Sequence, residues 1–150
     1  MTNNRIMSDP IIIESQFEAD RDVIWKAISD HGEMVQWFFE DIPDFRAEAG
    51  FETSFNVSAE QRDYFHLWKI TEAVPGKKIV FDWRYKDVPG EGVVTFQLID
   101  VPNSDRVKLH VINEGLETFP NDVPEFTEES CVGGWNYFIN EELKLFLDGR

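Results

Sequence analysis

Cysteine occurs once in the 150 residues, at Cys131, so no disulfide can form within the chain. That excludes a disulfide-stapled scaffold and fits a reducing compartment. No stretch reaches the ~18–20 apolar residues of a membrane-spanning helix. The opening MTNNRIMSDP carries no apolar run of the kind a signal peptide needs. Together these absences make the cytoplasm the expected location. Positive charge is scarce as well: 14 Lys and Arg stand against 29 Asp and Glu, a formal net charge of −15. Binding nucleic acid needs a basic face, and an anionic membrane surface would repel such a chain. Solubility is the plain consequence of the acidity, and a basic protein partner the more specific one.

The chemistry of common active sites is missing too. The three histidines, His31, His66 and His110, show no metal-ligand spacing with a nearby acid. There is no Gly-x-Ser-x-Gly elbow, phosphate-binding loop or dinucleotide fingerprint. Cys131 follows Glu128, Glu129 and Ser130, an acidic setting that disfavours a thiolate, so it is read as a packing residue. Carboxylates are too numerous for any pair to stand out. No metal, no cofactor and no catalytic residue is therefore expected.

What the chain does have is rings, with 13 Phe and 5 Trp, and a clear order of periodicities. Residues 1–10 are polar and aperiodic and are expected to fray; 11–150 form one domain, with no linker or repeat. Ile11, Ile13, Ser15 and Phe17 alternate as one face of a strand. Asp20 is placed as the N-cap of a short helix bearing Val23, Ile24, Ala27 and Ile28, which His31-Gly32 should break. A second short helix carries Met34, Val35, Trp37 and Phe38 and should end at Pro43. Period two then takes over: Phe51, Thr53, Phe55 and Val57; Tyr64, His66, Trp68 and Ile70; Ile79, Phe81, Trp83 and Tyr85; Val94, Phe96 and Leu98; Val107, Leu109 and Val111. Turns are expected at Pro75-Gly76, Pro89-Gly90 and Pro102-Asn103, giving an antiparallel meander of about six strands. His110 falls on its outer face.

The segment from Glu114 to Ser130 begins as a loop, and Pro124 suits the first turn of a helix. Val132, Trp135, Ile139, Leu143 and Phe146 then trace one helical face that ends at Gly149. Two glycines inside that helix, Gly133 and Gly134, cost about 2 kcal/mol relative to alanines. Close packing on a bulky side chain such as Trp37 is the expected compensation, the other option being a helix that starts after them. A sheet with one apolar face must be covered. The long final helix is the cover available, so the architecture is α+β, a curved antiparallel sheet around a C-terminal helix.

This order resembles the START-related, or SRPBCC, superfamily, whose helix-grip fold is shared with the birch-pollen allergen. The closer resemblance is to the short bacterial form of the activator of heat-shock-protein-90 ATPase family. It is carried by four stretches: Asp20 to Ile28, similar to the family's opening helix; Gln36-Trp37-Phe38; Ile70 to Trp83, similar to its Pro-centred hairpin; and Gly134-Trp135 with Leu143. The match runs over about residues 11 to 148. It departs at Ala49-Gly50, at Gly76, and at Asn113-Glu114-Gly115-Leu116, where the family has His-Ser-Gly-Phe, so no ligand preference follows from it. The eukaryotic co-chaperone joins such a domain to an additional N-terminal one, which these 150 residues would not accommodate.

The resemblance and the inward rings together imply a cavity between sheet and helix. The candidate ligand-binding residues are Trp37, Thr53, Phe55, His66, Trp68, Phe81, Trp83, Trp135, Asn136 and Ile139, with Thr53, His66 and Asn136 as the polar members. The leading expectation is non-catalytic binding of a small apolar or amphipathic molecule. A co-chaperone-like interaction that modulates a heat-shock ATPase comes second, and a cyclase or hydrolase of the wider superfamily third.

Overall fold

Strand β1 (Ile11–Phe17) alternates buried and exposed at every residue, with Ile11, Ile13, Ser15 and Phe17 inward as the period predicts. The computed structural model describes residues 9–59 and 62–149, so the expected fraying of the first eight residues lies outside them. Helix α1 (Arg21–Ser29) starts after Asp20, whose backbone is extended, and buries Ile24, Ala27 and Ile28. The break after α1 falls at Asp30 rather than at His31-Gly32. The Asp30 carboxylate accepts from the Glu33 backbone N–H at 3.2 Å and so starts helix α2 (His31–Trp37), placing His31 and Gly32 in its first turn. Helix α2 ends at Trp37, well short of Pro43, because Phe38 leaves helical geometry (φ −105°, ψ −137°). The Trp37 indole N–H donates to the Ala27 carbonyl at 2.7 Å and ties α2 to α1.

Five strands follow instead of about six: β2 (Glu52–Ala59), β3 (Arg62–Val74), β4 (Lys78–Tyr85), β5 (Val88–Asp100) and β6 (Val107–Glu114). They form an antiparallel meander, and β1 joins beside β6, giving one six-stranded sheet ordered β1-β6-β5-β4-β3-β2. The inward faces are those the alternation predicts, and His110 lies on the outer face, 2.6 Å from Glu14. Pro89-Gly90 is not the turn between β4 and β5. Asp87, at φ 62°, makes that turn, and Pro89-Gly90 lies inside the start of β5. The pairing slips there, between Trp83 and Tyr85, and again between Ile70 and Glu72. Such irregularities bend strands and raise local twist, which curves the sheet around its covering helix.

Beyond β6, two short 3₁₀ turns, Leu116–Thr118 and Pro124–Phe126, cross one end of the sheet. Pro124 belongs to the second of these turns and not to the long helix. That helix starts as α3 (Glu128–Trp135), capped by the Thr127 hydroxyl, which accepts from Ser130 N–H at 3.1 Å. It widens into a π-helix at Asn136–Leu143 and closes as α4 (Lys144–Asp148). The buried residues are Trp135, Ile139, Leu143 and Leu147, four apart each time, while Val132 and Phe146 are only half-buried. Four residues overshoot an α-turn of about 3.6 and fall short of a π-turn. A mixed helix therefore keeps a strict four-residue stripe on one line, facing the sheet.

Candidate ligand cavity

Between the concave sheet face and the start of the C-terminal helix lies a cavity of about 330 Å³. Its floor is the inner face of β3 to β5: Tyr64, His66, Trp83, Tyr85 and Val94. The helix contributes Cys131, Gly134, Trp135 and Phe138, and the chain leaving α2 contributes Phe38 and Phe39. Leu116, Phe119 and Phe126, from the two 3₁₀ turns, close one end. That closure depends on glycine. Gly90 sits at φ 127°, and a Cβ there would lie 2.4 Å from the Phe119 ring. Phe119 thus packs onto bare backbone and reaches Phe126 and Tyr85, at ring separations of 5.1 and 5.7 Å.

Of the residues chosen from sequence, His66, Trp83 and Trp135 line this space. Trp37, Phe55, Trp68, Phe81 and Ile139 are buried but packed in the solid aromatic core behind it. Trp68, for example, lies 4.8 Å from both the Phe55 and the Trp83 rings. Thr53 is half-buried on β2 and borders a shallow groove outside the cavity, while Asn136 is exposed and accepts a hydrogen bond from Asn140 at 2.8 Å. The expected close packing of Gly133 and Gly134 is absent. A Cβ on either would meet nothing within 4 Å, and the helix runs straight through them. Both compensations offered for them therefore fail, and Gly134 instead faces the cavity.

The polar groups that sequence reasoning did not choose are Tyr64, Tyr85, Asn113 and Glu125. Tyr64 and Tyr85 share the inward alternation of His66 and Trp83, so that signal was present. Asn113 and Leu116 fall in the stretch that departs from the family pattern, which puts the departure in the lining itself. Burial pushes the His66 imidazole down to about 4, outweighing its contact with the Tyr64 carbonyl, and leaves the ring neutral. Burial, then the nearby Glu125 carboxylate, holds the Tyr64 phenol up at about 12, and burial raises Tyr85 as well. Burial, then Glu128, pushes the Cys131 thiol up to about 11, so it stays protonated near neutral pH. Among the described residues, no three His, Cys, Asp or Glu side chains gather as a metal site requires. No helix among them is long and apolar enough to cross a membrane.

A meander gripping a C-terminal helix, with short helices after the first strand, defines a protein of the helix-grip, START-like class. Within that class, the chain belongs to the Activator of Hsp90 ATPase homolog 1-like family, whose model matches residues 18–148. Similar solved structures include protein CV1439 from Chromobacterium violaceum, 21% identical, with a TM-score of 0.73 over 91% of this chain and 96% of that one. Protein MLL2253 from Mesorhizobium loti is also 21% identical, with a TM-score of 0.70 over 94% and 98% of the two chains. DynU16, a putative protein in the dynemicin biosynthetic locus, is 19% identical with a TM-score of 0.74; the match covers 94% of this chain but only 48% of DynU16. At these identities the likeness is one of fold. A comparison with curated protein sequences gives no match.

Proposed function

We propose that the protein binds a small, largely apolar molecule between its sheet and C-terminal helix, without transforming it. The observation that carries this reading is a cavity of about 330 Å³ inside an otherwise filled aromatic core. Small-molecule sites are mostly apolar hollows of roughly this size or larger, with a few placed polar groups, and the family's helix-grip fold is a ligand-binding one. Rings supply most of the lining, and the lone thiol is held protonated, which supports binding over covalent chemistry.

The test begins with native mass spectrometry of protein purified from its own cells, where a bound molecule adds its mass. A panel of apolar compounds then follows by melting temperature and tryptophan fluorescence, since Trp83 and Trp135 border the cavity. A ligand at a hundredfold excess over its Kd should add about 2.7 kcal/mol of stability. No added mass, together with no compound shifting either the melt or the fluorescence, would remove the reading.

A further inference from the structure

One polar group in the cavity is both buried and one-sided. His66 on β3 is only 4% exposed and lines the hollow. Its Nδ1 stands 2.8 Å from the Tyr64 carbonyl oxygen. A carbonyl only accepts, so Nδ1 carries the proton, and in the neutral ring Nε2 is then a bare acceptor. Nε2 has no hydrogen-bond partner among the described residues, and it is not one of the polar atoms sealed from solvent. The neighbouring rings show where it looks. Phe55 stacks on one face of the imidazole at 4.9 Å and does not line the cavity, whereas Tyr85, Phe39 and Trp83, at 4.8, 5.1 and 5.6 Å, do. The free side of His66 therefore opens on the hollow.

The other polar lining groups are not one-sided in this way. The Tyr64 hydroxyl is engaged by the Glu125 carboxylate and the Arg62 guanidinium. The Tyr85 oxygen accepts the Trp83 indole N–H at 2.9 Å, and the Cys131 thiol lies 3.7 Å from the Glu125 carbonyl. The Asn113 amide offers donors and an acceptor alike. Resting on the binding reading above, we propose that His66 Nε2 is the polar anchor of the cavity and selects a neutral ligand that donates a hydrogen bond, through a hydroxyl or an N–H, from an otherwise apolar body. A buried acceptor left unpaired costs free energy that such a donor recovers. An ether or ketone brings a second acceptor to Nε2. So does a carboxylate, which also meets Glu125 and finds no lysine or arginine among the lining residues.

Four probes of similar shape separate these demands: 4-propylphenol, 4-propyltoluene, 4-propylanisole and 4-propylbenzoate, titrated by calorimetry at neutral pH into the wild type and His66→Phe. In the wild type the phenol should bind about tenfold tighter than the anisole, the gain of one made hydrogen bond in a dry site, and the benzoate should bind weakest. His66→Phe keeps a ring and removes the acceptor, so it should weaken the phenol about tenfold and leave the toluene unchanged. Long-range proton–nitrogen NMR of isotope-labelled protein reads the same contact without a substitution, and so decides the matter if the variant does not fold. It should place the His66 proton on Nδ1 and show the Nε2 signal shifting when the phenol is added but not when the toluene is. A proton on Nε2, a phenol preference that survives in His66→Phe, equal binding of all four probes or a preference for the benzoate would overturn the anchor while leaving the apolar cavity standing. Failure of every probe to bind would sink both.

Discussion

His66 is surrounded by rings and bonded through one nitrogen to a carbonyl, a setting with nothing to welcome a second proton. Its pKa falls to about 4 in the folded chain against 6.5 unperturbed, chiefly through burial. Between those values the unfolded chain binds the proton and the folded chain does not, so folding stability rises with pH across that window. The contribution is whole above 6.5 and is lost as pH falls towards 4. At about 1.4 kcal/mol per pH unit, the loss is on the order of 3 kcal/mol. Urea unfolding at pH 7.5, 6, 5 and 4.5 should show this decline, and His66→Phe should lack that component of it. The same slope in both proteins would mean that His66 is not the titrating group.

At the scale of elements, the C-terminal helix combines an alignment that packing explains with a weakness that packing does not. Its four-residue stripe is kept straight by the π-helix at Asn136–Leu143. Glycine at 134 costs roughly 1 kcal/mol relative to alanine in a helix, yet nothing presses on it. The bare backbone leaves room above the cavity floor. Gly134→Ala should therefore raise stability by about 0.5–1 kcal/mol in urea unfolding. Gly134→Leu, which adds a larger side chain at the cavity lining, should weaken binding of any apolar compound that the wild type takes up, while the fold survives. A destabilising alanine would show that the helix needs glycine there for a reason of backbone geometry.

These elements also show where sequence patterning ends. Period-two alternation placed the buried apolar strand side chains from Ile11 to Val111, though not the small or polar lining residues Ala59, Gly92 and Asn113, because a half-buried strand has only two faces to choose from. The same rule cannot tell a ring in solid packing from a ring beside a hollow. Trp68 and Trp83 alternate identically and pair across β3 and β4, yet only Trp83 lines the cavity. The hollow is set by what comes down on the sheet, namely Phe38 and Phe39 leaving α2 and Phe119 and Phe126 from the 3₁₀ turns. Phe39, Phe119 and Phe126 lie in segments without a period, and Phe38 leaves the helix to which its spacing assigned it, so spacing does not report which way these rings point. Asn136 was misplaced for a related reason: the stripe through Trp135 and Ile139 turns the residue after Trp135 towards solvent.

For the whole molecule, the surplus of acids is the dominant surface property, and it bears on the second function that the family's name suggests. A net charge of −15 creates a long-ranged negative field. Several cations on the outer sheet face are already engaged with acids, Arg84 with Asp82 and Glu91, and Lys108 with Glu14. If the protein modulated a heat-shock ATPase through this surface, it would attract a basic patch on that partner. At about 0.15 M salt, charges more than ~8 Å apart are largely screened. Such a stimulation would therefore shrink steeply as salt rises. The cavity reading makes the opposite commitment: the working surface faces inward, and ATP turnover by the cognate heat-shock ATPase should not change when this protein is added at saturating concentration. Turnover measured with and without the protein at 25 and 250 mM salt distinguishes the two. Stimulation at low salt that fades at high salt, and that survives in Gly134→Leu, would place the function on the acidic exterior. Unchanged turnover at both salts would leave the cavity as the site of function.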